Sequence, residues 1–245
     1  MNFRSSLLAI TGLATFMVCG CARAPGRAVA GDTPIVPEEI SDFNTLYKQN
    51  CAGCHGTEGK GGAAIPLADP VYLAIADDKI LHDAATNGIP GTSMPAFARS
   101  AGGMLTDKQI DIIVTGIRNR WSKSGILQGA TPPPYSSSGP GDPGRGGQVY
   151  AEFCSSCHGA GGQGTQKASS IVNGSFLALL TDQELRTLVI VGRPELGAPD
   201  WRENISGKPM SPQQISDVVA WLSSQRPQFP GQPFPNTPKS TGEIQ

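Results

Sequence analysis

The chain has 245 residues, with 19 Lys and Arg against 20 Asp and Glu, three His and six Cys. A formal charge of −1 gives no reason to expect a nucleic-acid binder or a basic membrane-surface patch. The 31 Gly and 21 Pro residues make up about a fifth of the chain, and aromatics only 6 %, which points to small, loop-rich domains rather than one large packed core.

The amino terminus reads as an address. Arg4, an apolar run over residues 7–18 and then Val18-Cys19-Gly20-Cys21 give the charged, apolar and small-residue succession of an export signal. A cysteine directly after Gly20 resembles a bacterial lipobox, which implies cleavage before Cys21 and a lipid on Cys21. Residues 1–20 are thus expected as a signal peptide and 21–36 as a tether. The run is too short for a mature transmembrane helix. The expected location is the periplasmic or extracytoplasmic face of the cell membrane, held by the lipid alone.

The first folded segment is expected over residues 37–123. A helix should begin near Pro37, with Ile40, Phe43 and Tyr47 at helical spacing. Cys51-Ala-Gly-Cys54-His55-Gly56 follows. Thr106-Asp-Lys-Gln109 reads as an N-cap with Gln at the third helical position. Ile110, Ile113, Val114, Ile117 and Trp121 then form one apolar stripe. Residues 124–141 are rich in Pro, Gly and Ser and read as a linker that lets the flanking segments reorient.

The second folded segment, 142–226, repeats this plan. Asp142-Pro143 can start its first helix. Cys154-Ser-Ser-Cys157-His158-Gly159 stands 103 residues after its counterpart, and Tyr150 precedes it as Tyr47 precedes Cys51. Downstream, Asp78 answers to Asp182, Leu81 to Leu185, Gly88 to Gly192, Pro95 to Pro199 and Phe97 to Trp201. One register shift accommodates all of these, so duplication is the simplest account. Ser211-Pro212-Gln-Gln214 starts the last helix. The Pro-rich tail, 227–245, carries no apolar period and reads as disordered.

C-x-x-C-H is the c-type haem attachment signal. Two thiols add to one porphyrin, and the adjacent His is thereby set beneath the iron. Other uses of these residues fit less well. A thioredoxin-type C-x-x-C needs a strand before it. Zinc needs four ligands, where each copy offers two Cys and a crowded His. Paired disulfides would leave the repeated His unexplained.

On these motifs the chain resembles a tandem class I cytochrome c of bacterial lipoprotein type. The resemblance implies an all-α fold of two such domains and two covalently bound haem c groups, on Cys51 and Cys54 and on Cys154 and Cys157. His55 and His158 would be proximal ligands. Gly88-Ile-Pro90-Gly-Thr-Ser-Met94-Pro95 matches the family's ligand loop, which implies Met94 as sixth ligand of the first iron. The second copy reads Gly192-Arg-Pro194-Glu-Leu-Gly-Ala198-Pro199, with alanine where Met94 stands. Met210 is the candidate there, and an open or water-bound iron is the alternative. The implied function is single-electron transfer between redox proteins of a respiratory or envelope chain. The alternative is a haem enzyme that reduces peroxide or a small oxidant at an open second iron. His82 falls on a charged helix and reads as solvated. Arg118, Arg120 and the Asp77-Asp78 pair read as ordinary helix faces.

Overall fold

A computed structural model describes residues 35–227. The expected signal peptide, Cys21 and the tail from 228 onward lie outside them. The chain divides into two compact units, Met1–Glu39 and Ile40–Gln245. The described part of the first contains one 3-10 turn, Pro37–Glu39. Everything that follows concerns the second.

The first copy comprises α1 (Phe43–Asn50), α2 (Ala52–His55), α3 (Pro70–Ile75), α4 (Asp78–Asn87) and α5 (Asp107–Trp121). The second repeats them as α6 (Pro143–Phe153), α7 (Ser155–His158), α8 (Gly174–Ala178), α9 (Asp182–Val191) and α10 (Pro212–Ser224). Among the described residues there are two isolated bridges, Ala98 with Leu105 and Arg193 with Ala198, and no strand.

Local chemistry sets the helix starts. The expected helix from Pro37 does not run through: Asp42 is extended, its carboxylate accepts the Thr45 N–H at 2.8 Å, and α1 begins at Phe43. Thr106 with Gln109 and Ser211 with Gln214 form reciprocal capping boxes at α5 and α10. Each such cap contributes about 1 kcal/mol. Asp142 caps α6, whose first residue is Pro143.

In both copies the first and last helices cross closely enough to require a glycine. A Cβ on Gly116 of α5 would fall 2.1 Å from the Phe43 ring, and one on Gly146 of α6 would fall 2.0 Å from the Asp217 carbonyl oxygen. An aromatic pair closes each crossing. Tyr47 meets Trp121 edge-on at 5.1 Å, and Tyr150 stacks on Trp221 at 4.2 Å. Such pairs contribute about 1 kcal/mol beyond their buried area.

The linker departs from its expected freedom. Arg186, 3 % exposed, donates to the Pro134 carbonyl at 2.9 Å and the Tyr135 carbonyl at 3.0 Å. Gln183 donates to the Tyr135 carbonyl at 2.8 Å, and the Ser137 and Ser216 hydroxyls lie 2.8 Å apart. A buried guanidinium must find acceptors, and linker carbonyls provide them. This stretch is therefore fastened to α9 and α10. Residues of both copies also join one apolar cluster, Val71 to Leu73 of α3 with Ile190 and Val191 of α9 among them.

Candidate haem-binding site

Each C-x-x-C-H lies at a break between helices. Cys51 ends α1, and α2 is a single turn closed by Gly56 at φ +83°. Cys154 and Gly159 (φ +82°) bracket α7 in the same way. On one helical turn, residues separated by three and four positions share a face. Cys51, Cys54 and His55 are so placed, as are Cys154, Cys157 and His158.

Hydrogen bonds fix both turns. The Tyr47 hydroxyl donates to the Gly56 carbonyl at 2.9 Å, and that of Tyr150 donates to the Gly159 carbonyl. His55 Nδ1 lies 2.8 Å from the Ile65 carbonyl, and His158 Nδ1 2.9 Å from the Ser169 carbonyl. A carbonyl can only accept, so Nδ1 carries the proton and Nε2 presents its lone pair. Burial lowers the His55 pKa, which keeps that imidazole neutral, as metal ligation requires.

The thiols fit covalent attachment better than thiolate chemistry. Burial pushes Cys51 up to about 12 and Cys154 up to about 11, each with a smaller contribution from the second thiol of its pair. No disulfide joins any of the four. Among the described residues no three His, Cys, Asp or Glu side chains gather as a metal-ion site. One oriented imidazole and two thiols on a single turn suit a porphyrin, which brings four iron ligands of its own.

Met94 lies in the loop between α4 and α5, partly exposed. Its carbonyl accepts the Ile89 N–H at 3.1 Å, and its N–H donates to the Thr92 hydroxyl at 3.1 Å. Ala198 accepts the Arg193 N–H at 2.9 Å in the matching loop. Met210 is buried at the entrance to α10. His82 is apart from both turns, on α4 between Asp111 at 3.4 Å and Thr86 at 3.3 Å.

Some contributors were not legible as such. Tyr47 and Tyr150 mark the repeat in the sequence, yet their hydroxyl bonds appear only in three dimensions. Arg118 is more than a solvated face: it pairs with Asp78 and donates to the Leu73 and Ala76 carbonyls at the end of α3. Asp77 caps α4 through the Ile80 N–H.

Two families match, one per copy. Residues 38–115 match cytochrome c oxidase, cbb3-type, subunit III, and residues 144–226 match cytochrome c. Cytochrome c55X of Paracoccus denitrificans is 35 % identical over 72 residues, 29 % of this chain and 67 % of the relative. The chain belongs to the cytochrome c family. As a tandem cytochrome c it carries two covalently bound haem c groups, and the two C-x-x-C-H turns suit them. A cbb3-type cytochrome c oxidase subunit CcoP of Azospirillum sp. strain B510 is 35 % identical over 148 residues, covering 56 % of this chain and 45 % of that subunit. A cytochrome bc1 complex cytochrome c subunit of Mycobacterium tuberculosis is 22 % identical over 181 residues, 72 % of this chain and 60 % of the subunit. The chain spans about half the length of the CcoP relatives it matches. Among the described residues no helix is long and apolar enough to cross a membrane.

Proposed function

We propose that this tandem cytochrome c is an electron carrier, moving single electrons between redox proteins of a respiratory or envelope chain. The observation that carries the reading is the doubled attachment turn, in which each histidine is oriented by a backbone carbonyl and keeps Nε2 available. The attachment cysteines are Cys51 and Cys54 in the first copy, Cys154 and Cys157 in the second. His55 and Met94 would hold the first iron, and His158 would hold the second. Bound haem c supplies reversible Fe(III)/Fe(II) exchange, and a thioether ligand raises the potential.

Contact between the copies supports transfer within the chain. Arg193, in the second copy's loop, reaches the Gly62 carbonyl of the first copy's post-attachment loop at 3.5 Å. Burial raises the Asp69 pKa, and Glu195 and Asp200 of the second copy raise it further. Loops of the two copies therefore meet.

The relatives are named as subunits of a cbb3-type oxidase and a bc1 complex, so a membrane respiratory complex is the proposed partner class. Export, cleavage before Cys21 and lipidation of Cys21 would confine the chain to the same surface and raise its local concentration there. Palmitate labelling that survives Cys21→Ser would overturn the anchor. The carrier reading is tested by mixing the reduced, haem-loaded chain with oxidase-containing membranes under oxygen. Oxidation of the first haem only when those membranes are present, and faster oxidation of the second in their presence than in their absence, is expected. Multiple turnovers of peroxide by the isolated chain would instead make it an enzyme.

A further inference from the structure

The copies build their ligand loops on matching backbone bonds and fill them differently. Ile89 N–H donates to the Met94 carbonyl at 3.1 Å, and Arg193 N–H to the Ala198 carbonyl at 2.9 Å. Before each donor stands a glycine at positive φ, Gly88 at +67° and Gly192 at +70°. A Cβ on Gly88 would meet the Met94 carbonyl oxygen at 2.7 Å, and one on Gly192 the Ala198 carbonyl oxygen at 2.6 Å. Ala198 thus follows the chain path of Met94, and its methyl group has no lone pair to offer iron.

Met210 has a different counterpart. Its N–H donates to the Trp201 carbonyl at 2.9 Å, as the N–H of Leu105 donates to the Phe97 carbonyl at 2.7 Å. Leu105 precedes the Thr106 cap and is 6 % exposed; Met210 precedes the Ser211 cap and is 3 % exposed. The Asn204 amide lies 3.8 Å from the Met210 sulfur. A core contact in the place of Leu105 accounts for this side chain.

Other polar groups around this loop are engaged as well. Arg193 pairs with Glu195, Arg202 with Asp200 at 2.6 Å, and Lys208 with Glu152. His82, the third histidine of the chain, belongs to the first copy.

We propose that the second copy offers no side-chain ligand for the sixth coordination position of its haem iron, and that this position takes a small diatomic ligand such as carbon monoxide or nitric oxide. The first copy, closed by Met94, does not. The proposal rests on the two-haem carrier reading and gives its second centre a ligand-binding role.

The test uses the full-length protein with its haem content counted by haemochrome assay, reduced and titrated with carbon monoxide. The expected result is one equivalent bound per two haems. Met210→Leu, which keeps an apolar side chain of similar size, should leave both stoichiometry and affinity unchanged. Ala198→Met should abolish binding. The proposal is overturned if the wild type binds none or two equivalents, or if Met210→Leu tightens binding by about tenfold or more. A haem count below two would overturn the paired-haem reading itself, and carbon monoxide stoichiometry separates that failure from this one. Should Ala198→Met fail to fold, the wild-type stoichiometry and Met210→Leu still decide.

Discussion

The loops over residues 88–97 and 192–201 form a controlled comparison within one chain. Both start with a glycine at positive φ, fold back through an N–H to carbonyl bond (reciprocated in the second by the Ala198 N–H) and lead to a buried or half-buried aromatic residue, Phe97 or Trp201. Met94 in the first stands where Ala198 stands in the second, and the second adds the charged Arg193, Glu195 and Asp200. The lesson is that the backbone scaffold does not depend on the thioether: the second loop keeps its shape without it.

The strongest way to break the comparison is to remove an attachment turn. Cys51→Ser with Cys54→Ser should halve the haemochrome count, because the first copy loses both covalent bonds to its porphyrin. A count that stays at two would refute attachment there. Next in size is ligand exchange between the loops. Met94→Ala should lower one midpoint potential on the order of 100 mV, within the span of about 0.8 V that axial ligands command, and leave the other nearly in place. Potentiometric titration followed by optical spectra reads this, and movement of neither potential would remove Met94 from the ligand set.

Packing sharpens the comparison further. Gly116→Ala and Gly146→Ala each force a methyl group into a crossing that has no room for it. Overpacking of this kind costs about 1–3 kcal/mol, and thermal unfolding of the holoprotein should register a loss for each. The Gly146 variant should suffer more, because backbone rather than a movable ring opposes it.

Asp217 marks a difference between the copies that pH can expose. Arg145 leads in holding its carboxyl down at about 2, aided by the Asp142 N–H and the Gln213 amide and opposed by burial. A depressed carboxylate stabilises the fold above the ordinary carboxylate range and loses that contribution as pH falls toward 2. Asp217→Asn should therefore cost about 1.5–3 kcal/mol at neutral pH, with the gap to wild type closing on acidification. A pH-independent gap in denaturant midpoints would contradict the pairing. The smallest effect, about 1 kcal/mol each, is expected for Thr106→Ala and Ser211→Ala, and their near equality checks that the terminal helices are true counterparts.

Much of this was legible in the sequence because it is local. A capping residue, a C-x-x-C-H turn and the apolar stripe of α5 each depend on neighbours within a few positions. What escaped is long-range. Nothing beside Arg186 in the sequence announces its burial, because the carbonyls that meet it belong to the linker 51 and 52 positions earlier. Arg118 reads as a solvated charge for the same reason, its acceptors lying 45 and 42 positions away. The start of α1 differs from the expected one because apolar spacing from Ile40 continues smoothly through Asp42, whose extended backbone and side chain instead cap the helix at Phe43.

The grip of Arg186 on Pro134 and Tyr135 changes what the proline-rich stretch can do. Arg202 also donates to the Ile126 carbonyl at 3.1 Å, so the joint is clamped near both ends and does not act as a leash, and its contour length should have little say in how fast charge hops from one copy to the other. Flexible residues inserted before Thr131 would leave that internal rate untouched, whereas Arg186→Ala would unfasten the joint and broaden it into a distribution.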